Sequence, residues 1–420
     1  MLRYFLRRIW NGLLVLFGVI TLVFLIFGLK PGDPARMLAD QRSSPEALAA
    51  IRKDLGLDLS PGKRYLLYLN DISPIAWMQD RDPAAAAYLD TTRYSVIGAV
   101  HLGVHVLVFK APYLRYSYQS RRGVATILAE AFPNTALLAI VAMFFAVVVG
   151  VGMGTIAAVR KGTPADDALL FISALGMAGP SFFMAVLIAW LGGYVWYAHI
   201  HLPVMLVLPL VIWVLLQAWN AHGERRVKDR WAWGLPIALF TIWVGAEIRG
   251  LSWASFGPTL PGTGLPMTGG PVDVDPFRGE VFRLRNLVLP TIVLGIRPLA
   301  VIVQLTRSSL LSELERDHIR TARAIGLGER AVVLRHGLRN ALMPVLTAVS
   351  GWFASLLAGA VFIEYVFGWR GMGLEVFNAL EREDLPVVMG AVLVFATIFV
   401  VMNVVVDLLY GVLDPRVRTV

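Results

Sequence analysis

Long apolar runs separated by short Arg- and Lys-bearing segments set the pattern of this chain. The run Ile9–Leu29 predicts a first membrane span, since about 20 apolar residues in a helix cross a hydrocarbon core. Arg3, Arg7 and Arg8 precede it, and LKPGDP follows where a cleavable signal would carry small residues. The run therefore reads as a retained anchor with its N-terminus inside. Pro133 and Asn134 predict the start of a second span, Thr135–Val159, with Asn134 as N-cap and Arg160 and Lys161 closing it inside. A third span, Ala168–Tyr194, is interrupted by Gly179 and Pro180, where the missing amide hydrogen predicts a kink. Two runs, Leu202–Ala218 and Trp231–Ile248, flank AHGERRVKDR and predict a transmembrane hairpin whose basic tip faces inside. Beyond a Gly/Pro-rich outer loop at Phe256–Pro276, spans at Leu287–Leu311, Ala341–Phe362 and Pro386–Leu413 bring the predicted total to eight, with both termini cytoplasmic.

The stretch between the first two spans has a different texture. Residues 30–133 are mixed and polar, with a helical SPEALAAIRKDLGL and an alternating stretch around Tyr94 to Tyr118, which predicts an extracytoplasmic α+β domain. The chain thus divides into an anchor (1–29), that domain (30–133), spans two and three (134–201), the hairpin with its outer loop (202–285), and the remaining spans (286–420). A basic cytoplasmic loop at 313–340 interrupts the last of these divisions.

Composition narrows the function classes. With 57% hydrophobic residues and a mean hydropathy of +0.66, the chain is an all-α polytopic membrane protein rather than a water-soluble globule. Its net charge of +9 comes from Arg and Lys flanking apolar runs, so it reports membrane topology and not a nucleic-acid partner. The absence of cysteine excludes disulfides, Fe–S clusters and thiolate metal sites. No phosphate-binding G-x-x-x-x-G-K-[ST] occurs: Gly62-Lys63 has the wrong spacing from Gly56 and is followed by Arg64. His101 and His105 lack the Glu of a zinc HExxH, and His199 and His201 are a lone pair, so neither couple predicts a metal site. No catalytic residue is predicted, and no cofactor is expected on this chain.

Small residues recur every fourth position at Ala142, Ala146, Gly150, Gly154 and Ala158, and again at Thr347, Gly351, Ser355 and Gly359. Such stripes let helix backbones approach closely. They fit packing within the chain, or else a subunit interface or pore lining. Arg297 sits mid-span, where a charge costs roughly 2.5–3.5 kcal/mol unless it meets a partner or water. It can pair with Asp407, Glu364 or backbone carbonyls, or meet an anionic group of a solute.

The segment IRTARAIGLGERAVVLRHGLRNALMP, residues 319–344, lies between two apolar runs. It carries Arg320, Arg323, Arg330, Arg335 and Arg339 beside Ile319, Ala322, Leu327, Val332 and Val333, with Gly326 and Gly328 placed for a turn between two short helices. A solvated basic loop would not need that apolar content, so the segment reads as a docking element.

This segment resembles the EAA loop of ABC importer permeases, in the form found in the dipeptide/oligopeptide/nickel family. Supporting pieces are LRRIW, TLVFLIFGLKPGDP, SPEALAAIRKDLGLD, LPTIVLGI, QLTRSSLL, FIEYVFGWRGMG and NVVVDLLYGVLDPRVR, in the family order, with 75–110 and 203–285 poorly matched. The resemblance implies a type I permease core with an inserted transmembrane hairpin, forming half of a peptide translocation pathway in the bacterial inner membrane. It implies a second related permease, two ABC ATPases that use ATP and Mg, and an extracytoplasmic solute-binding protein as partners, besides membrane lipid.

By the same resemblance Arg320, Thr321, Ala322, Arg323, Ala324, Ile325, Gly326 and Leu327 form the ATPase-coupling stretch. His336, Leu338, Arg339, Asn340 and Pro344 lead back into the membrane, and Glu364, Phe367, Gly371 and Gly373 belong to an outer gate loop. The Glu that names the EAA loop is absent, and Arg370 stands where relatives usually carry Pro. A nickel or other small-solute importer is the alternative within the family; a membrane enzyme or a passive channel is the alternative outside it.

Overall fold

A computed structural model describes residues 2–28, 57–80, 87–91, 93–103, 105–197, 199–203, 259–275 and 279–413, with isolated positions 46, 49, 52, 82 and 241. The first half comprises α1 (Leu2–Val23), α2 (Pro61–Ile72), β1 (Ile75–Gln79), β2 (Val96–Leu102), β3 (His105–Lys110), α3 (Val124–Val159), α4 (Pro164–Ala178) and α5 (Ser181–Trp190). Short strands β4 (His199–Pro203), β5 (Thr259–Pro261), β6 (Val272–Asp275) and β7 (Gly279–Phe282) lead to α6 (Arg285–Leu314) and α7 (Asp317–Ala324). The chain continues through α8 (Glu329–Ala331), α9 (Leu338–Gly359), α10 (Val361–Phe367), α11 (Met372–Glu381) and α12 (Leu385–Leu413).

Among the described residues, five helices are long and apolar enough to cross a membrane: Arg7–Phe27, Val124–Val159, Arg285–Leu314, Glu329–Leu357 and Leu385–Val406. A sixth candidate is the pair Pro164–Ala178 and Ser181–Val195, bent by 110° at the predicted Gly179–Pro180 break. Apart from Leu202 and Pro203, which end β4, and Thr241, the predicted hairpin runs Leu202–Ala218 and Trp231–Ile248 lie outside the described residues, as does most of SPEALAAIRKDLGL.

One expectation is corrected. Asn134 does not cap a helix, because α3 starts at Val124 and runs straight through Pro133. Val124, Leu128 and Ala131 are buried with Met372, Val376 and Val388, and burying those turns outweighs the single helical bond that proline cannot make. Asn134 instead donates its side-chain amide to the Arg370 carbonyl at 2.7 Å.

The residues divide into two compact units, 1–140 with 350–365 and 370–420, and 141–349 with 366–369. In the first, α1 packs along α12 so closely that a Cβ on Gly12 would lie 2.6 Å from Val400 Cγ1. α2 seats Tyr68 and Ile72 against Phe24 and Leu393. The antiparallel sheet, order β1-β3-β2, buries Ala76, Met78, Val106 and Val108 on one face, as period-two alternation requires. Buried Asp71 joins these elements by accepting Tyr94 Oη at 2.8 Å and Arg115 Nε and Nη2 at 3.1 and 3.0 Å.

In the second unit, the stripe Ala142, Ala146, Gly150, Gly154 and Ala158 is buried throughout, and α6 lies against it. A Cβ on Gly150 would stand 2.9 Å from Ile302 Cγ2, and one on Gly154 would stand 2.7 Å from the Val303 carbonyl. This stripe therefore serves packing within the chain. Thr347, Gly351 and Ser355 of the other stripe are exposed.

Candidate coupling segment and charged sites

The segment after α6 is built on a buried acid. Glu313, in the last turn of α6, accepts Asn340 Nδ2 at 2.8 Å and Arg316 Nε at 3.0 Å, and His318 Nε2 stands 3.3 Å from it. The entry and exit of the loop are thereby held at one carboxylate. α7 then presents Ile319 and Ala322 inward, where they pack with Val332 and Leu314.

The turn that follows is a Schellman ending. Leu327 N–H donates to the Ala322 carbonyl at 3.3 Å and Gly326 N–H to the Arg323 carbonyl at 3.0 Å, with Gly326 left-handed at φ +83°. Gly326 is the residue this geometry needs, because a Cβ disfavours positive φ. Arg323 and Glu329 pair across the turn at 2.8 Å, but both are well exposed and such pairs contribute little. Beyond it, Gly337 lets the chain pass Leu310 and Leu314, which would lie 3.1 and 3.2 Å from an added Cβ.

One face of the segment is thus anchored and the other is open. Arg320, Thr321, Arg323, Ala324, Ile325, Gly326 and Leu327 are all exposed, Ile325 to 70%, while Ala322 is buried. On the return side His336 and Leu338 are half-buried, Arg339 and Asn340 are exposed, and Pro344 sits inside α9 on an exposed face. An exposed isoleucine and leucine between arginines form a small apolar knob with a basic collar.

The other charged positions fall in separate places. Arg297, on α6, donates Nη2 to the Gly179 carbonyl at 3.2 Å, at the bend between α4 and α5. The side chain of Asp407 in α12 is outside the described residues. Glu364, on α10 beyond the apolar span Glu329–Leu357, is fully buried. It accepts Thr135 Oγ1 at 2.8 Å and the Leu374 N–H at 3.1 Å. Thr135 Oγ1 in turn accepts the Met372 N–H at 2.8 Å. Burial pushes the Glu364 carboxyl up to about 7, against the opposing pull of Thr135 and the Leu374 and Gly373 amides.

Gly371 and Gly373 are small because this carboxylate occupies their space. Added Cβ atoms would come within 2.5 Å of Glu364 Oε2 at Gly371 and 2.6 Å of Val361 Cα at Gly373. Phe367 is buried, and its carbonyl accepts the Gly269 N–H at 2.8 Å.

Residues that sequence reasoning did not single out include Glu313, Thr135, and the ion pair of Asp166 with Arg307, whose Nε and Nη2 lie 2.6 and 2.7 Å from the two carboxylate oxygens. Their one visible signal is a charge within or beside an apolar run, as for Arg307 and Glu313 in QLTRSSLLSEL. Thr135 has no such signal. Among the described residues no group of His, Asp or Glu is arranged to hold a metal ion.

Comparison with known proteins agrees with this architecture. Residues 150–419 match the family described as binding-protein-dependent transport system inner membrane component, and residues 1–87 match its N-terminal membrane component. The chain is 32% identical to the dipeptide transport system permease protein DppB of Escherichia coli K12, over 100% of this chain and 99% of that protein. It is 30% identical to the dipeptide transport system permease protein DppB of Alkalihalophilus pseudofirmus, over the full length of both. It is 31% identical to the di/tripeptide transport system permease protein DppB of Pseudomonas aeruginosa, over 100% of this chain and 99% of that protein. With several membrane-length apolar helices and full-length relatives of one kind, the chain belongs to the family of inner membrane components of binding-protein-dependent transport systems, the permease subunits of ABC importers.

Proposed function

We propose that this chain forms half of the translocation pathway of an ATP-driven peptide importer and is driven through the segment 317–344. The observation that carries the reading is the division of that segment into a buried face, Ile319, Ala322 and Val332, and an exposed apolar tip, Ile325 and Leu327, ringed by arginines. A lever that transmits force must be fixed at its base and open at its tip. Glu313 supplies the base by joining Asn340 and Arg316. The relatives named as dipeptide permeases support peptides as the solute.

In this reading the tip inserts into a groove on one of two ABC ATPase subunits, which bind and hydrolyse ATP with Mg. A second related permease completes the pathway, and an extracytoplasmic solute-binding protein delivers peptide to the side that carries residues 30–133. The chain sits in the inner membrane as a multi-pass protein with both termini cytoplasmic, and it is a transport subunit rather than an enzyme. ATP shifts the access equilibrium only if the nucleotide-loaded ATPases contact the two permease states differently, and the open tip is the surface available for that difference.

The test is uptake of a labelled dipeptide by vesicles carrying the full set of subunits and the binding protein. Concentrative uptake that needs ATP supports the reading. Equilibration of peptide without ATP, or ATP-independent turnover of a lipid or peptide bond by this chain alone, overturns it.

A further inference from the structure

We propose that Arg307 and Arg297 of α6 form a two-point clamp that binds α4 to α6 as one moving body, so that displacement of the coupling segment is delivered to the bend at Gly179–Pro180. The inference rests on the importer reading and deepens it by assigning the path of motion inside this chain.

The first point lies at the start of α4. Thr163 caps the helix by accepting the Asp166 N–H, and Asp166 accepts the Gly162 N–H at 3.0 Å. Its carboxylate, 2% exposed, is then held in two-pronged fashion by Arg307 Nε and Nη2 at 2.6 and 2.7 Å. Paired planar groups of this kind fix orientation as well as distance, and removing one partner strands the other charge in a buried site.

The second point lies at the other end of the same helix. α4 ends at Ala178, and the first helical bond after the bend runs from Met184 N–H to the Pro180 carbonyl. The Gly179 carbonyl therefore stands between the two helical ladders and takes Arg297 Nη2 at 3.2 Å. A guanidinium near the C-terminal end of α4 is also favoured by the helix dipole.

Between the points the backbones lie close. A Cβ on Gly176 would meet Ile296 Cγ1 and its carbonyl at 3.6 Å, ordinary contact distance. α6 continues into the coupling segment through Glu313, and Leu310 and Leu314 pack where Gly337 passes. One helix thus carries the base of the lever, the grip on Asp166 and the grip on the bend. Gln304 Nε2 adds a weaker contact to Met177 Sδ at 3.7 Å near the same end of α4, and neither arginine lies on the exposed tip of the coupling segment. Arg297 and Arg307 are positioning residues, since nothing here has them touch the solute.

The absence of native cysteine makes the decisive experiment clean. In the complete transporter in vesicles, the pair Gly176→Cys and Ile296→Cys is oxidised to tie α4 to α6 at their contact. The clamp predicts that the cross-linked transporter keeps at least half of its ATP-dependent dipeptide uptake, because the two helices do not slide. Arrest that dithiothreitol reverses would overturn it.

A second arm weakens the clamp without a cross-link. Asp166→Asn and Arg297→Gln should each lower peptide imported per ATP hydrolysed at least tenfold in assembled transporters, with ATPase turnover changed less than twofold and Arg297→Lys recovering most of the ratio. An unchanged ratio, or uptake and ATPase falling together, overturns the clamp. Failure of the unsubstituted transporter to import with ATP overturns the importer reading and the clamp with it.

Discussion

Gly154 and Gly152 stand two residues apart on α3 and should respond to the same substitution with opposite signs. Gly154 faces α6: an added Cβ would lie 2.7 Å from both the Val303 carbonyl oxygen and Thr306 Cβ, where ordinary contact begins at 3.4 Å. The helices must part by about 0.7 Å to admit it, and overpacking of that kind costs ~1–3 kcal/mol. Gly152 is exposed with nothing within 4 Å of an added Cβ, so alanine there keeps only its helix-propensity advantage of roughly 0.5–1 kcal/mol. Gly152→Ala should therefore raise the melting temperature of the detergent-purified protein, and Gly154→Ala should lower it. Leucine at the two positions should widen the gap, because its extra bulk meets solvent or lipid at 152 and helix backbone at 154. Equal shifts of the same sign at both positions would refute the α3–α6 contact as the reason for the small-residue stripe.

Burial raises the Glu364 pKa from 4.5 to about 7, so the stability its protonated form contributes is fully present below pH 4.5, is lost as pH rises from 4.5 to about 7, and changes little above that. The difference is on the order of 3 kcal/mol. Melting temperature should fall between pH 5 and pH 8 in the unsubstituted protein by more than in Glu364→Gln, and parallel profiles would contradict the burial argument. Gly326→Val forces a branched side chain into φ +83° and should cost roughly 1–2 kcal/mol, read as increased proteolysis of the 317–337 region. Arg323→Ala should leave the melting temperature within about a degree, since its pairing with Glu329 is solvent-exposed.

Much of this arrangement is legible in the sequence, and the reasons are local. Unbroken apolar runs mark helices because lipid leaves the backbone no other way to satisfy its hydrogen bonds. The bend at Gly179–Pro180 is written in adjacent residues, and so is the turn at Gly326. The first small-residue stripe is visible because helical periodicity places Ala142 to Ala158 on one face. What escaped reading depends on partners far apart in sequence. Nothing near Thr135 announces Glu364, and nothing near Asp166 announces Arg307, 141 residues away. The start of α3 is hidden for a related reason: Pro133 is a local stop signal, and the packing of Leu128 against Met372 and Val376 that overrides it is not local. Arg297 stands out in the sequence as a charge within an apolar run, but its partner, a carbonyl freed by a bend, is set by the fold.

The central claim is that force enters through the exposed tip of the 317–344 segment, and the substitution Ile325→Asp tests it most directly. Ile325 is 70% exposed and takes no part in the buried cluster of Ile319, Ala322 and Val332, so the variant should fold and reach the membrane as the unsubstituted chain does. Measured in vesicles with the ATPases, the second permease and the binding protein, ATP-dependent dipeptide uptake is predicted to fall at least tenfold, together with loss of ATPase co-purification. Normal uptake by Ile325→Asp at normal abundance would contradict the account.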